Sequence, residues 1–385
     1  MTLSEPVRTE RSRARAPRVL HVAHQVLPHV GGLETVVGAE TRELVARGWR
    51  VTVVSGAGTV GPGTRDEDGV RAVRVRAWNG LEERFGVPFP FFSPWLVPVV
   101  GRQVRRADVV HVHDVLYLSS WVAAVWCVLL RTPYVVHRHV GFVHHSSALV
   151  RLVQRVVLGT LGRFVLARAA AVLAIDEHVA TGLPRAEVVG NGVDTDRFRP
   201  SPRAVGEQPV VLFVGRFVPK KGFDVVAAAA ADDYVIAFAG GERPPGVDDP
   251  RLRFLGAVPA ERMPAVYADA DVMVVASVGE CPLTVLEAMA SGLPVLLRED
   301  PALHSSWTEG PWTEGPWPGT PGVRFVDLAA GDLPAALHDL VADPDEARRM
   351  GAAGRARVET AFSWDAHVDR LVEVYRRVTR GSLRR

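Results

Sequence analysis

The chain has 385 residues, a length typical of two or three domains, each large enough to bury a core without disulfide or metal cross-links. Apolar residues make up 48% and charged residues 23%, which excludes a disordered, collagen-like or multi-span membrane protein. The formal net charge is +2, and of the 45 basic residues only Lys220 and Lys221 are lysines. This adjacent pair marks a place where a compact point charge is used instead of guanidinium, or else it reflects an arginine-biased composition and chance.

The positive charge lies at the two ends of the chain. Residues 1–18 contain five arginines and two glutamates, and residues 370–385 contain six arginines and one glutamate. The N-terminal arm lacks the apolar segment of a signal peptide, and the only two cysteines, Cys127 and Cys281, are far apart in sequence. We therefore expect a cytoplasmic protein without a disulfide framework or a nucleic-acid partner, whose basic ends favour at most peripheral membrane contact.

Short valine-rich runs alternate with amphipathic segments, as is typical of parallel sheets covered by helices. The first series predicts a helix over 33–47 and strands over 18–24, 50–54, 70–76, 108–112, 134–137, 171–175 and 187–189. The second predicts strands over 210–214, 234–239, 252–255, 272–276, 295–297 and 323–326, then helices over 343–359 and 364–378. We therefore expect two doubly wound α/β halves, joined near residues 196–209, with a cleft between the carboxyl ends of their strands.

The loop after the strand at 210–214 concentrates positive charge. Gly215 ends the strand, Arg216 and the lysine pair follow, and Gly222 opens a helix. Fixed cations and free backbone N–H groups favour an anion such as phosphate. The glycine spacing matches neither a Walker loop nor GxGxxG, so a phosphate site of another kind or solvated surface charge is predicted.

A second loop and helix follow the strand at 272–276. Residues 277–287 read Ser-Val-Gly-Glu-Cys-Pro-Leu-Thr-Val-Leu-Glu, with a helix beginning near Pro282. Together with residues 210–224, this unit resembles the family 4 glycosyltransferases, retaining enzymes of the GT-B fold. The resemblance extends over roughly residues 18–378, because further motifs stand in family order: Gly31-Gly32 before a helix with Glu34, His-Val-His-Asp at 111–114, His139, and Asn-Gly-Val-Asp at 191–194.

The resemblance implies two Rossmann-like domains facing across a cleft. It divides the chain into a flexible basic arm (1–17), an acceptor-side domain (18–197), a nucleotide-sugar-binding domain (205–362), and a C-terminal helix with a basic tail (363–385) that packs back toward the N-terminal domain. The implied enzyme moves a sugar from a nucleoside-diphosphate sugar, with UDP slightly favoured, to a hydroxyl of a glycan, lipid-linked or small-molecule acceptor. It retains configuration and uses no metal or other cofactor, and peripheral contact with the inner membrane face is part of this expectation.

The resemblance also assigns roles position by position. Arg216 and Lys221 would neutralise the donor diphosphate, and His139 would contact the transferred sugar together with Glu280. The expected donor-binding residues are Gly31, Gly32, Gly215, Cys281, Pro282, Leu283, Thr284 and Glu287. Among these, Glu287 would accept hydrogen bonds from the ribose hydroxyls. Preorganised cations suit the reaction because negative charge grows on the departing diphosphate.

Glu280 departs from the family pattern. Six residues separate it from Glu287 where the family has seven, and Gly279 occupies the strict position. We expect a one-residue loop change to bring Glu280 to the same place; otherwise the group near the sugar is missing. The alternatives are therefore a GT-B-like nucleotide-sugar epimerase and a non-catalytic nucleotide-sugar-binding protein. A second departure is Arg-Glu-Asp-Pro at 298–301, followed by the duplicated Trp-Thr-Glu-Gly-Pro segment at 307–316, where many members of the family continue with a Gly-rich segment. The duplicated segment predicts a surface loop, and the departure would alter the outer wall of the donor site.

Several histidines form pairs two residues apart, at 111 and 113 and at 137 and 139, each on one side of a strand. Such pairs suit zinc ligation, but without cysteine partners or a His-Glu-x-x-His helix we expect separate sugar-binding or packing roles. Asp194 and Asp196 match the Asp-x-Asp pattern of metal-dependent sugar transferases, yet they lie inside a turn, so no metal site is predicted.

Two features concern the acceptor side. Asp114 or His113 is a candidate base for the acceptor hydroxyl. The apolar, proline-rich stretch at 87–98 suits either core packing or a surface for an acceptor or lipid tail.

Overall fold

The computed structural model describes residues 15–29, 31–80, 89–141, 147–183, 185–201, 208–277, 283–300 and 322–382. Its strands are β1 (Arg18–Val22), β2 (Arg50–Gly56), β3 (Gly63–Glu67), β4 (Val70–Val75), β5 (Ala77–Trp78), β6 (Phe91–Phe92), β7 (Val109–His113), β8 (Tyr134–Arg138), β9 (Ala171–Ala174), β10 (Ala186–Val188), β11 (Val210–Val214), β12 (Val235–Ala239), β13 (Leu252–Gly256), β14 (Val272–Val275), β15 (Val295–Arg298) and β16 (Val323–Val326). Its α-helices are α1 (Gly32–Ala46), α2 (Leu96–Val104), α3 (Leu118–Leu130), α4 (Ala148–Val157), α5 (Arg163–Arg168), α6 (Glu177–Ala180), α7 (Phe223–Ala228), α8 (Met263–Ala268), α9 (Leu283–Ala290), α10 (Leu333–Ala342), α11 (Pro344–Ala361) and α12 (Trp364–Ser382).

Two larger sheets organise the molecule. The first has the order β10-β9-β8-β7-β1-β2-β4-β3, and the second has the order β13-β12-β11-β14-β15-β16. All pairings in them are parallel except β3 with β4. In each sheet the order reverses beside its first strand, between β1 and β7 and between β11 and β14. Open α/β sheets bind ligands at such switch points, outside the carboxyl ends of the strands. The prediction of a doubly wound α/β fold with two halves is confirmed.

The central strands of each sheet are buried on both faces, and they are almost continuously apolar, as is typical of parallel sheets. One face of the first sheet packs against α1 and α12, and the other against α2, α3 and α5. One face of the second sheet packs against α8, α9 and part of α11, and the other against α7 and α10. No helix within the described ranges is both long and apolar enough to cross a membrane.

The last helix crosses from the second half of the chain to the first. Ser363 pairs with Val193 in an isolated parallel bridge directly before α12 begins. Along α12, Val368, Leu371 and Tyr375 are fully buried in the same cluster as Val19 of β1. The core beneath the first sheet is therefore completed by the end of the chain.

Two small elements differ from the predicted pattern. Strand β3 has the exposed, polar sequence Gly-Thr-Arg-Asp-Glu, so it lacks the apolar alternation used to predict strands. It pairs antiparallel with β4 through an Asp68-Gly69 turn in which both residues have positive φ. The β5–β6 ribbon is only two residues long on each side, and it pairs Ala77–Trp78 with Phe91–Phe92 of the proline-rich stretch. In the proline-rich stretch, Phe92 and Leu96 are buried, as core packing requires, while Trp95 is 73% exposed; a role of this stretch in acceptor or lipid binding stays a prediction.

Candidate active site

The loop over residues 215–222, here called the cationic loop, lies at the switch point of the second sheet. Gly215 follows β11, its N–H donates to Ala239 O at 2.8 Å, and the loop returns through a 3-10 turn at Pro219–Lys221. The Lys221 N–H donates to Val218 O at 2.9 Å. These backbone bonds hold Arg216 and Lys221 on one short loop above the carboxyl end of β11. Helix α7, which Gly222 begins, is only six residues long.

Gly222 brings this loop against the neighbouring strand. Its φ of 72° is left-handed, and a Cβ at this position would lie 2.6 Å from Ala276 Cβ and 2.8 Å from Ala276 O. Ala276 directly follows β14, which pairs with β11. The loop after β11 and the end of β14 are therefore in contact.

Helix α9 contributes two polar side chains from the segment after β14. Thr284 Oγ1 is buried without a hydrogen-bond partner in the described part of the chain. The Tyr267 hydroxyl donates to Glu287 Oε2 at 2.7 Å. Burial raises the pKa of Glu287, whereas the hydrogen bond from Tyr267 and the charge of Arg197 oppose that increase. Tyr267 therefore fixes one oxygen of a carboxylate predicted to bind ribose.

Some predicted features fall in ranges that the structure does not describe. Glu280, Cys281 and Pro282 lie outside the described residues, as do the tryptophan-rich segment at 307–317 and residues 1–14 of the basic arm. Leu283 is the first residue of α9 and is half-buried. The roles assigned to Glu280, Cys281 and Pro282 stay predictions.

The glycine pair lies at the carboxyl end of the first sheet. Gly31 caps α1 with an extended backbone, and a Cβ there would lie 2.2 Å from Glu34 Oε2. A Cβ on Gly32 would meet no atom of the described residues within 4 Å, so these residues leave the backbone open on that side. Glu34 is buried and lies 3.2 Å from His29 Nδ1 through its Oε1. This edge offers open backbone beside a buried carboxylate.

His139 directly follows β8, and its position is fixed by a contact with His113. Its Nε2 lies 3.1 Å from His113 Nδ1. Burial, reinforced by the charge of Arg138, lowers the pKa of His139 to about 3, so the imidazole is neutral at pH 7. Asp114 Oδ2 accepts from Val140 N at 3.1 Å and fixes the same loop.

The two candidate acceptor bases do not reach solvent. His113 is fully buried, and Asp114 is 1% exposed with a positive φ of 66°. Asp114 also accepts from Val115 N at 2.7 Å and forms an ion pair with Arg138. Both oxygens of Asp114 are therefore engaged within the fold, and the assignment of Asp114 or His113 as the base for the acceptor hydroxyl stays a prediction.

Histidines from separate strands meet in one buried cluster, while their expected sugar-binding or packing roles stay predictions. His21, His111 and His113 surround the buried carboxylate of Glu40, and one ligand atom from each of the four lies within 4.8 Å of the others. His367 Nε2 lies 2.9 Å from Glu40 Oε1. Burial raises the pKa of Glu40 and lowers the pKa of His21 to about 3.

Strand register explains why these side chains meet. His21 is the register partner of His111, and His113 is the partner of His137. The period of two along a strand sends all of them to the face covered by α1 and α12. A usable sequence signal for Glu40 was its place between Val36 and Leu44 on the apolar face of α1. For His21, the signal was its position within the apolar run of β1, which predicts a buried side chain.

The Asp-x-Asp pattern belongs to a turn, as predicted. Asp194 Oδ1 accepts from the backbone N–H groups of Asp196 and Arg197 at 3.1 and 2.9 Å. Within the described residues, neither aspartate joins a group of metal-ligating side chains.

Family models match most of the chain. "Glycosyltransferase Family 4" matches residues 30–197, and "Glycosyl transferases group 1" matches residues 208–310. Among curated proteins, a D-inositol 3-phosphate glycosyltransferase of Nocardia farcinica is 27% identical over 90% of this chain and 84% of that protein. A GDP-mannose-dependent alpha-mannosyltransferase of Mycolicibacterium smegmatis is 34% identical, but the match covers 55% of this chain and 57% of that protein.

A solved structure matches at the level of the fold. The complex of Anabaena HepE with UDP and glucose superposes with a TM-score of 0.66 at 17% identity, and the match covers 93% of this chain and 98% of that chain. The first family model covers strands of the first sheet, and the second covers strands of the second sheet, so the boundary between the models coincides with the boundary between the sheets. The chain therefore belongs to glycosyltransferase family 4 and is a glycosyltransferase with the GT-B fold.

Proposed function

We propose that this glycosyltransferase moves a sugar from a nucleoside-diphosphate sugar to an acceptor hydroxyl with retention of configuration. The observation that carries the proposal is the contact between the cationic loop and the end of β14, which brings Arg216 and Lys221 to the same sheet edge as α9. On that helix, the Thr284 hydroxyl has no hydrogen-bond partner among the described residues, and Glu287 is oriented by Tyr267. Cations for a diphosphate and acceptors for ribose hydroxyls are the groups that a nucleotide sugar requires.

The reaction uses these residues as preorganised electrostatics. As the bond between the sugar C1 and the diphosphate oxygen breaks, negative charge develops on the phosphate, where Arg216 and Lys221 stabilise it. The acceptor oxygen forms the new bond to C1 on the same face, and its proton passes to the departing phosphate. No protein nucleophile and no metal at the diphosphate are needed in this scheme. On the opposite side of the cleft, neutral His139 and the open backbone at Gly31-Gly32 bind the transferred sugar.

Two substitutions test the donor site. Lys221→Ala and Glu287→Ala should each weaken donor binding by about 1–3 kcal/mol, because each removes a charged hydrogen-bonding group. Isothermal titration with the nucleotide sugar measures this loss. Lys220→Ala is the matched control, since it removes the adjacent lysine and should leave affinity nearly unchanged. Unchanged donor affinity in both site variants would reject the assigned site.

A donor screen addresses the nucleotide, for which we propose UDP ahead of GDP, dTDP and ADP. A ligand that binds the native state raises apparent stability, so thermal shift with each nucleotide sugar ranks them. Nuclear magnetic resonance of the bound donor without acceptor separates transfer from epimerisation, because an epimerised sugar would contradict the proposal. Initial rates unchanged by EDTA in the assay are expected if no metal acts at the diphosphate.

We further propose that the protein works in the cytoplasm, in peripheral contact with an anionic membrane. A continuous helical segment at 148–168 carries Leu149, Leu152, Val153 and Val156 at helical spacing on one exposed face. Leu149 is 69% exposed and Leu152 is 53% exposed. Arg151 and Arg155 lie between these positions, and no acidic residue occurs from 148 to 175. An apolar face beside arginines favours insertion at an anionic lipid surface.

Vesicle sedimentation tests this contact. The protein should sediment with vesicles of phosphatidylcholine and phosphatidylglycerol, less with phosphatidylcholine alone, and less at high salt. Leu149→Ser combined with Leu152→Ser should reduce sedimentation several-fold. Val225→Ser with Leu255→Ser, two exposed apolar positions in the second half of the chain, is the control. Equal sedimentation of both double variants would contradict a lipid contact through this helix.

A further inference from the structure

The centre of the histidine cluster is a carboxylate oxygen without a hydrogen-bond partner. Glu40 Oε2 lies 3.7 Å from His21 Nδ1, 3.9 Å from His111 Nδ1 and 3.7 Å from His113 Nε2. These distances are too long for hydrogen bonds. The four side chains are fully buried, and Glu40 Oε2 has no hydrogen-bond partner among the described residues. A buried carboxylate oxygen without a partner is costly, so its surroundings call for a cation or a proton.

The hydrogen bond of His137 with a backbone carbonyl shows that a second electron-rich group faces Glu40. The Nε2 of His137 faces the carbonyl of Val189 at 3.3 Å, and a carbonyl only accepts, so Nε2 carries the proton. Its Nδ1 therefore presents a lone pair toward Glu40 Oε1, 3.8 Å away. In the same way, His367 Nδ1 donates to Gly190 O at 2.7 Å. The lone pairs of His137 Nδ1 and His367 Nε2 consequently both face Glu40 Oε1.

The spacing of these atoms suits a small cation. Around a tetrahedral ion with bonds of roughly 2.0–2.1 Å, neighbouring ligand atoms are about 3.3 Å apart. The distances of 3.7–3.9 Å from Glu40 Oε2 and of 2.9 Å between His21 Nδ1 and His113 Nε2 bracket that value. Because the four ligand atoms lie within 4.8 Å of one another, the side chains must draw closer around the ion to reach ligating geometry.

We propose that Glu40, His21, His111 and His113 bind one divalent transition-metal ion of the Zn²⁺ class. Imidazole nitrogens with one carboxylate form a donor set that Zn²⁺ accepts, and four protein ligands without solvent exposure are typical of a closed, structural site. The ion connects α1 to β1 and β7 at the switch point of the first sheet. It is separate from the donor diphosphate site, which lies at the second sheet.

Two side chains contact the proposed ligands from outside the cluster. With Nε2 on the ion, His113 carries its proton on Nδ1, which then donates to His139 Nε2, 3.1 Å away. The proposed ion thus orients a residue assigned to sugar binding through one imidazole. Binding through His111 Nδ1 replaces its hydrogen bond with the Tyr375 hydroxyl, which is 2.5 Å long. Tyr375→Phe should therefore preserve or strengthen metal binding, which separates ligation from a simple hydrogen-bond network.

The experiment uses the full chain, with any affinity tag removed, purified from cells grown in zinc-supplemented or cobalt-supplemented medium. Elemental analysis by mass spectrometry should find about one equivalent of Zn²⁺ or Co²⁺ per chain. Cobalt-loaded protein should show the intense visible absorption of tetrahedral Co²⁺. A folded wild-type protein that contains less than a tenth of an equivalent of either metal, including after refolding in its presence, would overturn the proposal.

Variants locate the ion. Glu40→Gln and His111→Asn should each lower metal content at least ten-fold and abolish the cobalt spectrum. His338→Asn is the control, because His338 is exposed and pairs with Asp233 at 2.9 Å, away from the cluster. Metal content that is equal in all variants would place the ion elsewhere and overturn the assignment. If the cluster variants do not fold, the metal content and spectrum of the wild-type and Tyr375→Phe proteins still decide the question.

Discussion

At the scale of single residues, burial changes what the acidic groups can do. Glu287 and Glu40 both lie inside the fold, and burial raises the pKa of each carboxyl group. Tyr267 opposes this effect at Glu287 by donating a hydrogen bond to its carboxylate form. The protonation state of Glu287 therefore depends on Tyr267, and we expect donor affinity to change with that protonation state.

Donor affinity should fall as the pH decreases. The pKa of Glu287 is raised above its ordinary value of 4.5, so its carboxylate is present at high pH and is lost as the pH falls through that raised pKa. A protonated carboxyl group accepts ribose hydrogen bonds less well, and affinity measured by titration at several pH values should decline there. Tyr267→Phe should move the midpoint to higher pH, because the hydrogen bond that favours the charged form is lost.

Glu287→Gln is the control for this pH dependence. The amide does not titrate, so its donor affinity should be lower but nearly constant over the same pH range. A decline of equal size in Glu287→Gln would assign the effect to another group.

At the scale of elements, the donor site depends on how closely two loops approach. Gly222 permits contact with Ala276 because its left-handed backbone carries no Cβ. The sequence predicted the loop after β11 and the segment after β14 separately, since each follows a valine-rich strand. Their contact follows from the pairing of β11 with β14, which are separated by two other strands in the chain.

Gly222→Ala should reduce both stability and donor binding. Its Cβ would meet backbone and side-chain atoms of Ala276, so we expect a loss of roughly 2–4 kcal/mol in the free energy of unfolding. Gly48→Ala is the matched control, because Gly48 has a φ of 80° but no atom within 4 Å of a new Cβ. It should lose only about 1 kcal/mol and keep its donor affinity. Denaturant unfolding with donor titration measures both; equal effects in the two variants would mean that the contact is unimportant.

At the scale of the whole molecule, the two ends of the chain form one core. Helix α12 packs its buried residues against β1 and α1, and the Trp49 and Tyr375 rings meet at 5.5 Å. His367 of the same helix reaches Glu40, so the last helix also closes the histidine cluster. The N-terminal half is therefore incomplete without the final residues.

Leu371→Ala should destabilise the N-terminal half although it lies near the end of the chain. Leu371 is fully buried, and truncation of such a leucine costs roughly 2–5 kcal/mol. Hydrogen exchange should quicken in β1 and β7, whereas β11 and β14 should change little. Glu373→Ala, an exposed change on the same helix, should leave exchange unaltered. Faster exchange confined to the second sheet would contradict this packing.

The sequence by itself determined the alternating α/β architecture and the loops that follow the strands. Strands such as Val210–Val214 and Val323–Val326 agree with their predicted bounds because continuous apolar runs bounded by polar segments require burial in a parallel sheet. Local motifs also placed Arg216, Lys221 and Glu287 correctly on a loop and a helix, because turn glycines and helical spacing act within a few residues.

Only the tertiary structure decided which side chains meet. His21, Glu40, His111 and His367 come from four elements, and no local pattern links positions so far apart in the chain. Strand register and the docking of α1 and α12 bring them together. Burial then gives these side chains their chemistry, because a carboxylate removed from water needs partners that solvent no longer supplies.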